Sequence, residues 1–361
     1  MMLSDDEKYR YSRHLLLHQV GESGQERLKA ANVLVVGAGG LGCPVLLYLS
    51  AAGVGTIGII DFDTVEISNL QRQILFTTED VGKNKALAAK ERLQALNDQI
   101  RYEVYPERLT GLNAKELFGQ YDLIVDGSDN FTTRYLVNDA CVQTGKPFIH
   151  GAIFTFEGQF AVFNYQNGPT YRCLFPEIPD QGAIPNCAEV GVLGVLPGII
   201  GMHQANETLK LLLGVGKPLS GKLMVFDALS GTQRTIHLQR NEEQVKVALG
   251  IDLKQHADEL NCAQGKEKDE IDIEELRVLL TREPLQLVDV REPWEQPRIE
   301  SLQALTIPLD DLPDMLDRLD PSKKTVVFCQ HGGRSLVAIE LLKQEGFKNL
   351  VNLTGGIVNW K

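Results

Sequence analysis

The feature that most limits what this chain can fold into is an apolar run that ends in spaced glycines, Val33-Leu-Val-Val-Gly37-Ala-Gly39-Gly40-Leu-Gly42. The apolar residues predict a buried strand, and Gly37-x-Gly39-x-x-Gly42 predicts a tight turn from that strand into a helix. Bare backbone at those positions lets a phosphate come close, and the helix N-terminus adds partial positive charge there. Asp61 closes the next apolar run, GTIGIIDFD, where an acid can accept from a ribose hydroxyl. The pattern specifies nucleotide binding on a Rossmann-like sheet. It does not choose ATP over NAD, and a nicotinamide-dependent dehydrogenase would account for these residues.

Further runs of the same kind, such as YDLIVDGSDN, alternate with helix-like sequence through residue 245. That order predicts an α/β fold with a mainly parallel sheet covered on both faces. Gly151 to Asn164 and Lys222 to Leu238 alternate apolar and polar residues, so they predict antiparallel strands extending the sheet. Residues 246–268 are mostly polar and read as a linker, with room for one short helix. Residues 269–361 then form a second, small α/β unit.

Downstream of Asp61-Phe62-Asp63 stand Asn69-Leu-Gln-Arg72-Gln73 and Val81-Gly-Lys-Asn-Lys85. Hydride transfer does not need two cations and several amides here, whereas neutralising a triphosphate during attack at its α-phosphorus does. Asp129, followed by Asn130, ends another strand at the same expected sheet edge and could hold Mg²⁺.

GAGGLG, IIDFDTVEISNLQRQ, VGKNKA and DGSDN together resemble the MoeB/ThiF family of the ubiquitin-activating-enzyme superfamily, over nearly all of residues 8–240. The resemblance implies adenylation of the C-terminal glycine of a small ubiquitin-fold sulfur-carrier protein ending in Gly-Gly, with ATP and Mg²⁺ and release of pyrophosphate. It implies that Gly37, Gly39, Gly40 and Gly42 form the phosphate loop, and that Asp61 binds ribose. Asp63, Asn69 and Asn130 line the same nucleotide site, Arg72 and Lys85 contact phosphates, and Asp129 positions Mg²⁺. Arg13 matches an arginine that relatives contribute to a partner subunit's ATP site, which implies a homodimer.

In the second unit, Cys329-Gln-His-Gly-Gly-Arg334-Ser335 follows the apolar run KTVVF and precedes a helix. Inward-pointing loop N–H groups, the helix dipole and Arg334 would each favour a thiolate. The Cys-x-x-x-x-Arg spacing is shared by sulfur transfer and phosphate-monoester hydrolysis; a Cys-x5-Arg phosphatase loop would have one residue more, which favours sulfur transfer over a phosphatase or a decayed structural domain. With LVDVREPWE, IPLDDLP and GGIVNW, residues 270–361 resemble a single rhodanese domain, which implies a persulfide on Cys329. The chain stops soon after GGIVNW, so a C-terminal helix is expected to be absent or very short. Cys187, in Pro-Asn-Cys-Ala-Glu, matches the family's second reactive cysteine, while Cys43 and Cys141 are expected core residues. Relatives commonly hold a structural zinc with two Cys-x-x-Cys pairs. Here the first pair survives only as Thr170-Tyr-Arg-Cys173, no cysteine follows Leu238 closely, and Cys262 is isolated. Zinc needs four ligands, so no zinc is expected, with hydrophobic packing in its place.

The net charge of −12 argues against nucleic-acid and anionic-membrane partners, and widely spaced cysteines without a visible signal peptide suggest the cytoplasm. The expected protein is therefore a bifunctional adenylyltransferase and sulfurtransferase. Rhodanese fusion leans toward a molybdopterin-synthase small subunit as the carrier. Carriers for thiamine, tRNA thiolation or cysteine synthesis stay open, as do the persulfide donor and a non-catalytic scaffold that binds a ubiquitin-fold protein.

Overall fold

The computed structural model describes residues 2–179, 191–254, 270–282, 284–330 and 332–360. Cys187 and Cys262 lie outside the described residues. The chain divides into two compact units, an N-terminal one and a C-terminal one.

The first unit is built on an eight-stranded sheet. Its strands are β1 (Asn32–Val36), β2 (Thr56–Ile60), β3 (Arg101–Tyr105), β4 (Leu123–Asp126), β5 (Phe148–Phe154), β6 (Glu157–Phe163), β7 (Lys222–Asp227) and β8 (Thr232–His237). They lie in the order β3-β2-β1-β4-β5-β6-β7-β8. Pairing is parallel from β3 through β5 and antiparallel from β5 to β8, as the two alternating stretches predict.

Strand pleating sorts the apolar residues between two cores. Val33 and Val35 of β1 pack with Ile57, Ile59, Leu46 and Leu49 on one face. Leu34 and Val36 pack with Ile60, Ile124, Phe118 and Tyr135 on the other. Cys43 and Cys141 fill these cores, and burial pushes the Cys43 thiol up to about 12 and that of Cys141 well above its ordinary range. Both are packing residues.

The glycine-broken apolar run ending at Met202, which reads in the sequence as a buried helix or a turn, belongs to a helix of full length, Val195–Leu213. Its glycines fit because a side chain at Gly201 would strike Leu41 O and Pro44, so its absence lets the helix lie against the loop that starts helix Gly42–Ala52. The polar stretch from residue 246 is not linker at its start. Helix Glu242–Gly250 buries Val245 and Ala248 beside Val142, and Leu253 joins the second core. Few buried residues suffice to dock a short helix, so composition alone hid them. Among the described residues no helix is long and apolar enough to cross a membrane.

The second unit carries a parallel sheet ordered β11-β10-β12-β13-β9. Its strands are β9 (Glu270–Ile271), β10 (Gln286–Asp289), β11 (Leu305–Thr306), β12 (Thr325–Phe328) and β13 (Leu350–Leu353). Val288 and Val327 pack with Ile339 and Leu342 of helix Gly333–Gln344 on one face. Leu287 and Val326 pack with Leu276 of helix Ile273–Arg282 on the other. The described chain ends in one 3₁₀ turn, Ile357–Asn359.

Candidate active sites

Strand register sets one carboxyl edge in the first unit. Val36 stands beside Ile60 on one side and Asp126 on the other, and Asp126 stands beside His150. Asp61, Gly37 and Gly127 therefore leave the sheet together, where open α/β sheets bind ligands.

Glycine is required at two points of the loop. Gly37 has φ +89°, and a Cβ on Gly42 would lie 1.9 Å from Gly37 O. Across the loop, a Cβ on Gly40 would touch Pro197 at 3.1 Å and the Arg72 side chain at 3.5 Å. One on Gly39 would lie 3.8 Å from Gln73 Nε2. The Asn69–Gln73 segment is thus folded against the glycine loop. A turn in which Arg72 N and Gln73 N both donate to Asn69 O does the folding. Buried Asn69 accepts from Glu66 N at 3.3 Å, and Arg72 Nη1 donates to Ser68 O at 3.2 Å. Gln73 is buried, and its Oε1 has no partner among the described residues.

Asp61 is a tie as well as a candidate ribose ligand. Its Oδ2 accepts from Ala38 N and its Oδ1 from Asp63 N, both at 2.8 Å. These bonds fix the glycine loop to the end of β2, and each oxygen keeps acceptor capacity for a ligand hydroxyl. Burial raises the Asp61 carboxyl above its usual range, against the pull of Lys85. Lys85, also buried, pairs with Asp63 at 3.2 Å. Asn84 holds this corner: its Oδ1 caps helix Lys85–Leu96 through Leu87 N, and its Nδ2 donates to Asp61 O and Asp63 O.

The strand-end loop after β4 is built with equal care. Asp126 Oδ1 accepts from Ser128 N at 3.1 Å and Ser128 Oγ at 2.6 Å, and Asp126 Oδ2 lies 3.4 Å from His150 Nδ1. Gln204 Nε2 donates to Asp126 O at 2.7 Å. Asp129 emerges exposed from this clamp, as a hard oxygen donor suited to Mg²⁺. Asn130 is the N-cap of helix Phe131–Thr144, accepting from Thr133 N at 2.9 Å. Arg13 lies apart from these groups in the chain. It is exposed on helix Ser12–Leu15, between exposed Tyr9 and exposed Leu16 and Leu17.

In the second unit Cys329 follows β12 and is 2% exposed. Gly332 N donates to its Sγ at 3.1 Å, and Ser335 Oγ lies 3.6 Å away. Gly332 has φ +100°, which brings that N–H inward at the start of helix Gly333–Gln344. Arg334 is already partnered: its guanidinium forks onto Glu295 with two contacts of 2.6 Å, while it also feels the charge of the Cys329 side chain.

Cys173 sits where the resemblance would place zinc. Its Sγ accepts from Thr170 N and Asn241 N, each at 3.3 Å, and packs against Val142, Val245 and Ala248. Hydrophobic packing is therefore joined by hydrogen bonds. Next to it, Arg172 forms a buried two-pronged pair with Asp139 at 2.7 and 2.8 Å. Among the described residues no group of three or more His, Cys, Asp or Glu could hold a metal.

Asn84, Asp126, Ser128, His150, Gln204 and Glu295 were not singled out from sequence. Only Asn84 left a signal, as a helix N-cap type directly before Lys85. His150, Gln204 and Glu295 act on partners distant in sequence, and Asp126 and Ser128 close a local turn within the strand-end loop.

Fold and sites define an enzyme that joins a nucleotide-binding α/β unit to a rhodanese-type thiol loop. The ThiF family model matches residues 11–247 and the rhodanese-like domain model matches residues 272–361. A probable adenylyltransferase/sulfurtransferase MoeZ of Mycobacterium tuberculosis is 45% identical over 368 residues, covering 99% of this chain and 94% of its own. A sulfur carrier protein adenylyltransferase of Thermus thermophilus is 58% identical over 246 residues, covering 67% of this chain and 91% of its own. The adenylyltransferase and sulfurtransferase MOCS3 of Arabidopsis thaliana is 39% identical over 393 residues, covering 99% and 84%. Escherichia coli MccB, in a crystal structure with ATP, shares the fold with a TM-score of 0.57 and 24% identity, covering 66% of this chain and 73% of its own. The chain belongs to the ThiF family, as an adenylyltransferase with a C-terminal rhodanese-like sulfurtransferase domain. As an adenylyltransferase it uses ATP.

Proposed function

We propose that this enzyme adenylates the C-terminal glycine of a ubiquitin-fold sulfur carrier of the molybdopterin-synthase small-subunit type and then converts it to a thiocarboxylate with sulfur from Cys329. The observation that carries the first step is the shared edge of Gly37–Gly42, Asp61 and Gly127, with Arg72 folded over the glycine loop. A carboxylate attacking the α-phosphorus there would expel pyrophosphate, and Arg72 and Lys85 would draw negative charge off the phosphates. Lys85 must then loosen from Asp63. Mg²⁺ held at Asp129 would supply further neutralisation of the phosphate oxygens.

In the second step a persulfide on Cys329 attacks the acyl-adenylate carbonyl and AMP leaves. The Cys187 thiolate then attacks the Cys329-side sulfur of the acyl disulfide. That releases the carrier thiocarboxylate and leaves a Cys329–Cys187 disulfide for a cellular thiol to reduce. The adenylyltransferase would run to about residue 254 and the rhodanese unit would begin at about residue 269, with the linker between them.

Exposed Arg13, flanked by exposed Tyr9, Leu16 and Leu17, supports a homodimer in which this arginine serves the neighbouring site. The hydrogen-bonded Cys173 supports an enzyme without structural zinc, and metal analysis of purified protein finding about one zinc per chain would refute that part. The free thiols Cys43, Cys141, Cys173 and Cys329 support a reducing cytoplasm.

The deciding experiment is ATP–pyrophosphate exchange with purified Gly-Gly-ending carriers. Exchange driven by the molybdopterin-synthase small subunit is expected, and silence with every carrier would end the adenylation reading. The Thermus relative's broader name favours a second outcome, in which carriers for thiamine or tRNA thiolation also drive exchange.

A further inference from the structure

Three guanidinium groups and two carboxylates gather at the Cys329 end of the second unit: two of the guanidiniums share one carboxylate, and the third holds the other. Arg291 is buried and gives Nε and Nη2 to the two oxygens of Asp289, both at 2.8 Å. Arg298 Nη1 reaches the same carboxylate at 2.5 Å. Arg334, in the first turn of the helix behind Cys329, is forked on Glu295. Glu295 is itself held in place, because its Oε1 also accepts from Glu292 N at 2.8 Å. Burial opposes its charge, yet the hydrogen bonds from Arg334 and from Glu292 N leave its carboxyl below the usual range, so it stays ionised at neutral pH.

The pairing of Arg334 with Glu295 bears on which molecules can load Cys329 with sulfur. With thiosulfate, the Cys329 thiolate attacks the outer sulfur, a new S–S bond forms, and the old S–S electron pair leaves with sulfite. Three negative charges converge in that encounter and three depart, on Cys–S–S⁻ and SO₃²⁻. With a singly charged persulfide RS–S⁻ the same displacement gives Cys–S–S⁻ and RS⁻, and only two charges meet. Extra charge of that kind needs an uncommitted cation near the thiol.

Resting on the reading of Cys329 as a sulfur carrier, we infer that Glu295 is a specificity-determining residue. By occupying Arg334 it disfavours doubly charged oxyanion donors relative to singly charged or neutral persulfides. Glu295 touches neither sulfur, and its effect runs through the guanidinium. It removes charge, not hydrogen-bond donors, because Arg334 keeps N–H groups beyond the two it gives to Glu295.

The test uses the full-length protein with cyanide as acceptor and two donors, thiosulfate and cysteine persulfide. Glu295→Gln should raise kcat/KM for thiosulfate by roughly tenfold, the scale of one freed charge near a reacting anion, and move cysteine persulfide less than about threefold. Glu295→Asp, which keeps the carboxylate, should leave the donor ratio near that of the wild type. Should Glu295→Gln melt early, Glu295→Met carries the same expectation. A thiosulfate rate that stays level or falls in a well-folded variant overturns the inference, and so does an equal rise for both donors. Wild-type protein that passes sulfur from neither donor, or Cys329→Ser that still passes it, removes the carrier reading itself. A working wild type with an unmoved ratio in Glu295→Gln removes only the role of Glu295.

Discussion

Two glycines of the phosphate loop answer differently to the same added methyl group. At Gly42 the new carbon would sit 1.9 Å from Gly37 O, a backbone atom that cannot swing aside. Gly42→Ala should therefore cost about 2 kcal/mol or more of stability and lower ATP affinity at least roughly tenfold, read by thermal melting and calorimetric titration. At Gly39 the nearest neighbour stands at 3.8 Å, so Gly39→Ala should melt like the wild type and test only the approach of phosphate. Equal destabilisation of both would contradict the loop geometry. The glycine spacing was legible from the sequence because it answers to local backbone sterics. The second task of Asp61 was not, since its bonds to Ala38 N and Asp63 N involve backbone atoms that leave no mark in residue identity. Glu295 was silent for a related reason: its partner, Arg334, lies far along the chain.

Elements in the first unit are pinned by buried polar pairs that no periodicity reveals. Helix Tyr171–Leu174 is too short to hold itself, and Arg172 anchors it to Asp139. Arg172→Ala should cost about 3 kcal/mol, because it takes the cationic partner from a buried carboxylate that Asn138 Nδ2 also contacts at 2.9 Å, and denaturant unfolding would measure it. A loss below about 1 kcal/mol would mean that the pair is not buried as described. A second pin makes stability depend on pH. His150 is fully buried, and burial lowers its pKa against the pull of Asp126, so it is neutral in the fold. The unfolded chain binds a proton at this residue below about pH 6.5, whereas the folded one resists. Stability should thus be flat above that pH and fall as pH drops, by at most about 1.4 kcal/mol per pH unit from this residue. His150→Gln should flatten that part of the profile, and an unchanged slope would remove His150 as its source. The parallel part of the sheet and its antiparallel extension were readable, because continuous apolar runs mark strands covered on both faces and alternation marks strands with one exposed face. In helix Val195–Leu213 the packing role of the glycines was not readable, since Gly201 serves a close approach to Leu41 and Pro44, far away in sequence.

At the scale of the whole molecule, two chemistries share one chain, and the polar stretch between them is where that sharing can be measured. A tether gives the second site an effective concentration near the millimolar range for a carrier tail held at the first. Asp129→Ala should stop pyrophosphate exchange and spare sulfur transfer to cyanide, while Cys329→Ala should do the reverse. Mixing these two full-length variants then forces sulfur to pass between separate molecules. At about 1 µM each, and before subunits exchange, thiocarboxylate formation should fall by roughly 10²–10³-fold from the wild type. The residual rate should grow with the square of protein concentration, whereas the wild-type rate grows in simple proportion. The order in concentration is the sharper reading, because a damaged active site lowers a rate without changing its order. A mixed pair that matches the wild type at 1 µM would show that joining the two units confers no kinetic advantage, and the reason for their fusion would then have to lie in matched expression.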